Sequence, residues 1–281
     1  PEMSRGLGDV YKRQDIVVLN TCAIRENAKD KVFGYLGRCK HLKKENPNLI
    51  IAIAGCLMQQ PKEIEEIHNK HQYIDIIIGT HNLSELPSLI EEANNKKNQN
   101  IEVYSNSDVV FENVKYNRDS KISAWINIIY GCDKFCTYCI VPFTRGRERS
   151  RKMEEVLDEV KTLKDQGYLE ITLLGQNVNA YGKDLDLGYD FATLLENVAK
   201  TGIPRIRFVT SHPWNFTDRM VDVIAKYDNI MPYVHLPIQS GSDEILKKMN
   251  RKYTIEEYKK LFDQIKKKVK NVSVTTDIIV G

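Results

Sequence analysis

The feature that most limits how this chain can fold is a repeated pairing of an apolar run with a helical stretch. Three runs rich in Ile, Val, Leu and Ala are typical of buried parallel strands: 15–20, 49–54 and 74–78. Predicted helices follow them at 25–44, from Pro61 onwards, and at 83–93. This alternation predicts an α/β fold with an open parallel sheet over residues 15–118. Residues 1–14 lack usable periodicity, and we expect them to be disordered or foreign to the native protein.

A second series of strands and helices begins near residue 119. Predicted strands lie at 124–130, 170–174, 205–209, 233–236 and 273–280. Predicted helices lie between them at 153–166, 191–199, 218–226 and 255–269. The series predicts a partial (β/α) barrel of the TIM type over residues 119–281, with its active residues at the carboxyl ends of the strands. Because the last run is followed by no helix, we expect the C-terminus to be cut short.

Three cysteines, Cys132, Cys136 and Cys139, follow the first strand of that series with the spacing C-x3-C-x2-C. Thiolate is the usual ligand of iron–sulfur clusters. A structural zinc site closes with four protein ligands, whereas here the previous cysteine is Cys56 and the next histidine is His212, both far along the chain. Three ligands on a four-iron cluster leave one iron open to the amine and carboxylate of S-adenosylmethionine. A zinc knuckle with a remote ligand, or three unrelated buried thiols, are the alternatives.

Two further cysteines end successive strands of the first sheet. Cys22 and Cys56 both lie where ligands collect in such sheets, outside the carboxyl ends of the strands. They are predicted to hold part of a second cluster, and simple buried packing is the alternative. Cys39 lies roughly 25 Å from Cys22 along the predicted helix, at 1.5 Å per residue. It is therefore interpreted as a packing residue.

Polar side chains also follow the later strands of the second series. Amides, hydroxyls, a carboxylate and one imidazole suit contacts with a ribose, an adenine edge or a methionine carboxylate: Gln176, Asn177, Ser211, His212, Gln239, Ser240 and, within the fifth strand, Asp277. Loop capping is the alternative for each of them.

Four arginines come soon after the cysteine motif: Arg145, Arg147, Arg149 and Arg151. Guanidinium groups suit phosphates, so we expect a phosphate-bearing substrate such as RNA, with a solvated loop as the alternative.

Composition narrows the class of protein without deciding its function. The chain has 281 residues, 42% of them apolar and 28% charged, which is typical of a soluble globular protein. No run approaches the ~20 apolar residues of a membrane span, and no signal peptide is visible. Six cysteines are too few for a disulfide scaffold and suit a reducing cytoplasm. A net charge of +3 gives no global argument for nucleic acid.

With these motifs in view, the chain from residue 15 to 281 resembles the radical S-adenosylmethionine methylthiotransferases. The motifs that carry the resemblance are Asn20-Thr21-Cys22, Gly55-Cys56, the stretch 131–139, the arginine run 145–151, and the stretches 174–179 and 236–242. Residues 138–147 and 175–179 look most like the bacterial branch that acts on N6-isopentenyladenosine in tRNA. Branches that act on threonylcarbamoyl-adenosine, or on an aspartate of a ribosomal protein, look less similar there and remain alternatives.

The resemblance implies a set of functional expectations. Cys132, Cys136 and Cys139 would hold the [4Fe-4S] cluster that cleaves S-adenosylmethionine reductively to a 5′-deoxyadenosyl radical. That radical would abstract hydrogen from C2 of a modified adenosine beside the anticodon. Cys22 and Cys56 would hold an auxiliary [4Fe-4S] cluster that delivers sulfur. The implied partners are a tRNA anticodon stem-loop and an electron donor such as flavodoxin or ferredoxin, and the protein is expected to be monomeric, without a membrane.

Two departures from the family's pattern qualify these expectations. The family's auxiliary cluster has three cysteines, and residues 1–14 contain none. The family also carries a final barrel unit and a C-terminal RNA-binding β domain, neither of which is present here. We therefore expect the chain to be an incomplete enzyme, and a non-catalytic iron–sulfur or zinc RNA-binding fragment is the alternative from another class.

Overall fold

A computed structural model describes residues 14–23, 26–95, 99–104, 118 and 120–280. The chain divides into two compact units, the first extending to residue 109 together with 143–145, the second comprising the other residues. Residues 1–13, which were expected to be disordered or foreign, lie outside the described part. Within the described ranges, no helix combines the length and apolar character needed to cross a membrane.

The first unit is built on a four-stranded parallel sheet, in the order β1-β2-β3-β4. Its strands are β1 (Ile16–Thr21), β2 (Ile50–Gly55), β3 (Ile76–Ile78) and β4 (Asn100–Glu102). Its helices are α1 (Glu26–Glu45), α2 (Pro61–Lys70) and α3 (Leu86–Asn95). The predicted open parallel sheet is thus confirmed, with β4 as a short edge strand that the sequence pattern did not indicate.

Strand β2 forms the centre of this unit and is buried along its whole length. Successive side chains of a strand point to opposite faces, so its residues divide between two apolar clusters. Ile51 and Ile53 pack with Leu36 of α1 on one face. Ile50 and its same-face neighbours pack with Leu89 of α3 on the other. Cover on both faces explains why the run at 49–54 is continuously apolar rather than alternating.

The second unit contains a series of parallel strands separated by helices. Its strands are β5 (Ser123–Asn127), β6 (Ile129–Tyr130), β7 (Arg149–Ser150), β8 (Glu170–Leu174), β9 (Arg205–Phe208), β10 (Tyr233–His235) and β11 (Ser273–Thr275). Helix α4 (Val141–Arg145) begins in this unit, while its residues 143–145 are counted with the first. The other helices of the second unit are α5 (Met153–Asp165), α6 (Phe191–Lys200), α7 (Asp218–Lys226), α8 (Asp243–Lys248) and α9 (Ile255–Lys268). β5, β8 and β9 are adjacent and parallel, β10 pairs with β11 in parallel, and a bridge joins Ile206 to Ile230. This is the predicted partial (β/α) barrel.

Two predicted strands of this unit differ from the structure. The run 124–130 is not one strand, because it leaves the sheet after Asn127 and its end, β6, pairs antiparallel with β7. The run 273–280 is regular only to Thr275. The opposing chain has Pro237 at that point, which has no N–H for the ladder, and pairing resumes as a single bridge from Gln239 to Ile278. Asp277 therefore lies beyond the last strand, and its prediction within that strand was wrong.

Candidate metal centre

The three clustered cysteines lie on the loop between β6 and α4, at the carboxyl end of the first strand of the second unit. Gly131 starts this loop with a φ of +75°, and any side chain there would overlap the backbone oxygens of Gly146 and Arg147. The N–H of Cys132 donates to the carbonyl of Gly146 at 3.1 Å. A tight turn, Cys139 N–H to the Cys136 carbonyl at 2.9 Å, closes the loop. The loop is thus held at both ends.

The three thiols differ in their exposure. Cys132 is buried, whereas Cys136 and Cys139 are half-buried. Burial raises the pKa of the Cys132 thiol to about 12, and the nearby Glu148 carboxylate, Cys136 and Cys139 add to that rise. Burial also raises the pKa of Cys139, with Cys136 contributing again. Because the Cys136 thiol raises the pKa of both others, the three lie close enough for their charges to interact. Without a cation Cys132 and Cys139 stay protonated at neutral pH, and a positively charged metal centre would bind the three as thiolates.

Each of the three sulfur atoms has a hydrogen-bond donor. The backbone N–H of Lys134 donates to the sulfur of Cys132, and that of Val141 donates to the sulfur of Cys139. The guanidinium of Arg251 donates from Nη1 to Sγ of Cys136 at 3.5 Å. Hydrogen bonds to the sulfurs are one of the main ways in which a protein tunes an iron–sulfur cluster.

The arrangement fits a cluster better than a single ion. Among the described residues, no three His, Cys, Asp or Glu side chains are grouped closely enough to hold one metal ion. Each cysteine of a four-iron cluster binds a different iron, so its thiols need not meet at one point. The buried Nε of Arg251 has no acceptor within the described part of the chain and adds a donor beside the loop.

The strand-end amides of β8 take part in the structure around this loop. Gln176 accepts the N–H of Gly131 at 2.6 Å, so it positions the start of the cysteine loop. Asn177 is buried and donates to Asn215 at 3.1 Å and to Glu148 at 3.3 Å. The Oδ1 atom of Asn177 is buried and accepts no hydrogen bond from the described residues.

Ser211 and His212, which follow β9, lie beside these amides, since Val178 N–H donates to the Thr210 carbonyl at 3.2 Å. Both side chains are buried. His212 accepts the N–H of Trp214 on Nδ1 at 3.3 Å, and burial together with Arg251 and Lys134 lowers its pKa to about 3. Within the described chain, neither its Nε2 atom nor the Ser211 hydroxyl has a hydrogen-bond partner. The rim of β8 and β9 therefore offers several buried polar atoms.

The remaining predicted contacts at the strand ends are more open. Gln239 has a left-handed φ of +68°, and its N–H donates to the carbonyl of Asp277 at 2.9 Å. Ser240 accepts the N–H of Ser242 at 3.2 Å. Asp277 is exposed and its carboxylate lies 3.2 Å from Nε2 of His235. The backbone thus brings Gln239 and Asp277 together, although their side chains are not enclosed.

The four arginines do not form one surface. Arg147 is exposed, lies 3.4 Å from Asp133 and stacks over Phe135 with 5.2 Å between the guanidinium carbon and the ring centre. Arg149 is half-buried and donates to the carbonyl of Arg147 at 3.3 Å, and Arg145 is half-buried as well. Arg151 is buried, and it donates to Glu159 at 2.7 Å and to the Asn127 carbonyl at 2.9 Å. Its guanidinium stabilises the fold, so its position does not support an RNA contact.

Cys22 and Cys56 occupy equivalent positions on neighbouring strands of the first unit. The register of β1 and β2 pairs Thr21 with Gly55, so the two cysteines follow directly at the same edge. Gly55 has a φ of +101°, and a side chain there would overlap the carbonyl of Thr21. Cys22 is exposed and Cys56 is buried. Cys39, in contrast, lies on α1 and is fully buried in the core, which confirms its interpretation as a packing residue.

Sequence reasoning did not find the residues that contact the cysteine loop from a distance. Asn250 and Arg251 lie more than a hundred residues further along the chain, just after the short helix α8. No local motif marks them, because their role depends on tertiary contacts alone.

Comparison with known protein families finds a match within each of the two units. Residues 126–281 match the model of the radical SAM superfamily, and residues 6–79 match the model of the uncharacterized protein family UPF0004. Proteins named tRNA-2-methylthio-N(6)-dimethylallyladenosine synthase from Staphylococcus epidermidis and Staphylococcus saprophyticus subsp. saprophyticus are 55% and 56% identical over 268 residues. The matches cover 95% of this chain and 52% of each relative, so the chain spans about half the length of these curated relatives.

Solved structures support the fold at lower sequence identity. The radical S-adenosylmethionine methyltransferase TsrM from Kitasatospora setae is similar over 100% of this chain and 60% of its own, with a TM-score of 0.69 and 14% identity. The cobalamin-dependent S-adenosylmethionine radical enzyme OxsB covers 98% of this chain and 42% of its own, with a TM-score of 0.67 and 15% identity. The similarity to the methylthiotransferases that the motifs indicated is confirmed. The radical SAM model matches more than half of this chain, which shows that the chain belongs to the radical SAM superfamily.

Proposed function

We propose that this chain carries out the radical chemistry of a tRNA methylthiotransferase, which converts N6-isopentenyladenosine beside the anticodon to its 2-methylthio derivative. The observation that carries the radical part is the loop of three cysteines, with an N–H donor for each sulfur atom, at the carboxyl edge of the barrel. The tRNA substrate rests on the similarity to relatives named for that reaction.

Cys132, Cys136 and Cys139 would hold a [4Fe-4S] cluster, whose chemistry when bound is the reductive cleavage of S-adenosylmethionine. The chain's own residues prepare the site. The donors to the three sulfurs stabilise the thiolate forms that such a cluster needs. Neutral polar atoms at the rim, on Asn177 and Ser211, are available to orient the polar groups of the cofactor.

His212 suits the same role because it stays neutral. Its pKa is lowered to about 3, so at neutral pH the ring carries a proton on one nitrogen only. Since Nδ1 accepts the Trp214 N–H, the proton resides on Nε2, which thereby becomes a donor. We propose that Gln176, Gln239, Ser240 and Asp277 complete the binding of S-adenosylmethionine by positioning backbone and loops around it.

Cys22 and Cys56 would supply two thiolates to an auxiliary [4Fe-4S] cluster, which would provide the transferred sulfur. Among the described residues, no group of three His, Cys, Asp or Glu side chains completes a metal site there. An electron donor such as flavodoxin or ferredoxin would supply the reducing equivalents, and the protein would act as a monomer on the anticodon stem-loop.

Aromatic and cationic side chains around the cysteine loop support a nucleic-acid substrate. Trp214 is 43% exposed, and the amines of Lys134 and Lys252 lie 4.8 and 5.2 Å from its ring centre. Phe135 is 39% exposed beneath the guanidinium of Arg147. Exposed rings beside cations are the elements that bind single-stranded nucleic acid, through stacking on bases and attraction to phosphates.

The test begins with anaerobic reconstitution of the chain, followed by iron analysis and assay of 5′-deoxyadenosine after reduction. Replacement of Cys132, Cys136 or Cys139 by alanine should abolish 5′-deoxyadenosine formation. The matched control is Cys39→Ala, which removes a thiol from the core and should leave the cluster in place. Retained cleavage in any loop variant contradicts the proposal. Nucleoside mass analysis of tRNA from cells with and without the gene then decides between this substrate and the other methylthiotransferase substrates.

A further inference from the structure

A segment far from the cysteines in sequence lies against their loop. It comprises residues 248–251, the last residue of α8 and the three that follow, and is called the 248–251 segment below. The N–H of Thr137 donates to the carbonyl of Met249 at 3.2 Å, and its hydroxyl donates to the carbonyl of Lys248 at 3.1 Å. The end of the helix is thereby fixed to the middle of the cysteine loop.

Asn250 adds a side-chain contact to this backbone pairing. Its Nδ2 donates to the carbonyl of Phe135 at 3.0 Å and to that of Lys134 at 3.3 Å. Both Asn250 and Phe135 have left-handed backbones, with φ of +56° and +48°. Phe is uncommon in that conformation, which is strained for a residue with a side chain. The amide of Asn250 binds the two carbonyls at this turn and so stabilises it.

Arg251 brings a positive charge to the same loop. It is 7% exposed, with Nη1 donating to Sγ of Cys136 at 3.5 Å and Nη2 donating to the carbonyl of Pro237 at 3.2 Å. Among the described residues, no carboxylate forms an ion pair with it. A buried charge without a counter-charge is costly, and thiolate ligands at Cys136 and its neighbours would supply the missing negative charge.

We propose that the 248–251 segment is a clamp on the cysteine loop, in which Asn250 fixes the backbone and Arg251 raises the reduction potential of the iron–sulfur centre through Cys136. The inference rests on the proposed function only in requiring that the loop hold such a centre. Reduction adds negative charge to a cluster, and a nearby cation with an N–H donor to sulfur stabilises that added charge. Arg251 is thus a positioning and tuning residue.

A redox titration monitored by electron paramagnetic resonance tests the role of Arg251. The reconstituted protein is compared with Arg251→Met, which removes charge and donors, and with Arg251→Lys, which keeps the charge without the guanidinium fork. We expect the midpoint potential of Arg251→Met to become more negative and that of Arg251→Lys to shift less. The control, Lys247→Gln, removes an exposed charge from α8, the helix that precedes Arg251, and should leave the midpoint unchanged.

A midpoint of Arg251→Met equal to that of the unchanged protein, at equal iron content, overturns the tuning role. If Arg251→Met binds no cluster, Arg251→Gln, which removes the charge but keeps an amide donor, is titrated instead, and an unshifted midpoint there overturns the tuning role. Failure of the proposed function looks different, because the unchanged protein would then retain no iron on the loop and no potential would be measurable for any variant.

Hydrogen–deuterium exchange tests the clamp in the metal-free protein, so it does not depend on cluster loading. Asn250→Gly removes the amide and tolerates the left-handed backbone. Amides of residues 132–139 should then exchange several-fold faster. The matched control is Asn271→Gly, which makes the same substitution at an exposed residue with a φ of +55° outside the loop. Equal loop exchange in both variants would refute the clamp.

Discussion

Protonation of His212 should destabilise the second unit in mild acid. The imidazole is 7% exposed and lies between the rings of Trp214 and Tyr253, with ring centres 6.3 and 6.0 Å away. The charged groups that contribute to its environment, Arg251 and Lys134, are both cations. Burial and these cations together lower its pKa from 6.5 to about 3.

The sign and size of the effect follow from linkage between protonation and folding. Because the folded pKa is lowered, the unfolded chain binds the proton more readily, and stability falls as the pH drops below 6.5. The loss amounts to about 1.4 kcal/mol per pH unit until the pH approaches the folded pKa. Between pH 7.5 and pH 5, this one group should therefore remove about 2 kcal/mol from the free energy of unfolding.

Urea unfolding followed by tryptophan fluorescence measures this loss in the right part of the chain. The sequence contains two tryptophans, Trp125 and Trp214, and both belong to the second unit. The variants His212→Gln and His212→Asn keep a side-chain oxygen for the Trp214 N–H but do not titrate. Their free energy of unfolding should fall about 2 kcal/mol less than that of the unchanged protein between the two pH values.

The change in the free energy of unfolding between the two pH values is compared between the unchanged protein and each variant. The contribution of every other titrating group then cancels. Both variants will be less stable than the unchanged protein at pH 7.5 if their packing is poorer, and that loss cancels in the comparison. An equal fall in stability in the unchanged protein and in both variants would refute the reasoning, because His212 would then not be buried as a neutral imidazole. Transition midpoints are compared rather than signal amplitudes, since a protonated imidazole quenches nearby tryptophan.

Further expected outcomes concern other parts of the site. Gly131→Ala should abolish stable iron binding, measured as iron per chain, because the added carbon overlaps backbone at a φ of +75°; normal iron content would contradict this. Glu159→Gln should lower the free energy of unfolding by about 3 kcal/mol, since it leaves the buried Arg151 without its carboxylate; a loss below about 1 kcal/mol would show that the pair is dispensable. Trp214→Ala should weaken binding to an anticodon stem-loop roughly tenfold or more, as expected for a lost stacking contact of ~1–3 kcal/mol; unchanged binding in a titration at fixed salt would exclude the ring from the interface. Reconstitution should load about four irons rather than eight, because a second cluster has only Cys22 and Cys56 as described thiol ligands; a count near eight would show that another ligand completes it.

Most of the fold could be predicted from the sequence because its strands are buried on both faces. Continuous apolar runs gave the positions of β1 and β2 to within a residue, and the register places Cys22 beside Cys56 as their equivalent positions predicted. The short helices α4 and α8 were missed because five or six residues are too few to show a helical period. The break after β5 was missed because it depends on antiparallel pairing with a strand twenty residues further on.

The candidate site was predictable only where its chemistry is local. The spacing of the three cysteines predicts the centre, and the alternation of strands and helices predicted that their loop follows the end of a strand, where the structure has it. The prediction for Arg151 treated all four arginines alike, because a charged run in sequence does not show which of its members turns inward. Here the buried Arg151 binds the half-buried carboxylate of Glu159. Nothing in the local pattern marked Asn250, since its contacts depend on the path of the chain between the loop and α8.

The hydrogen-bond donors to the three cysteine sulfur atoms come from different parts of the second unit, so the loop alone does not form the site. For the first and last cysteines, the donors are backbone N–H groups two residues further on, at Lys134 and Val141, so the short loop provides them by its own turns. For the middle cysteine, Cys136, the side-chain donor comes from Arg251, 115 residues away. A peptide of the loop alone would therefore reproduce two of these sulfur contacts and lose the one that carries a charge. The potential of the centre should accordingly depend on the packing of α8 against the loop, which links folding of the barrel directly to its redox chemistry.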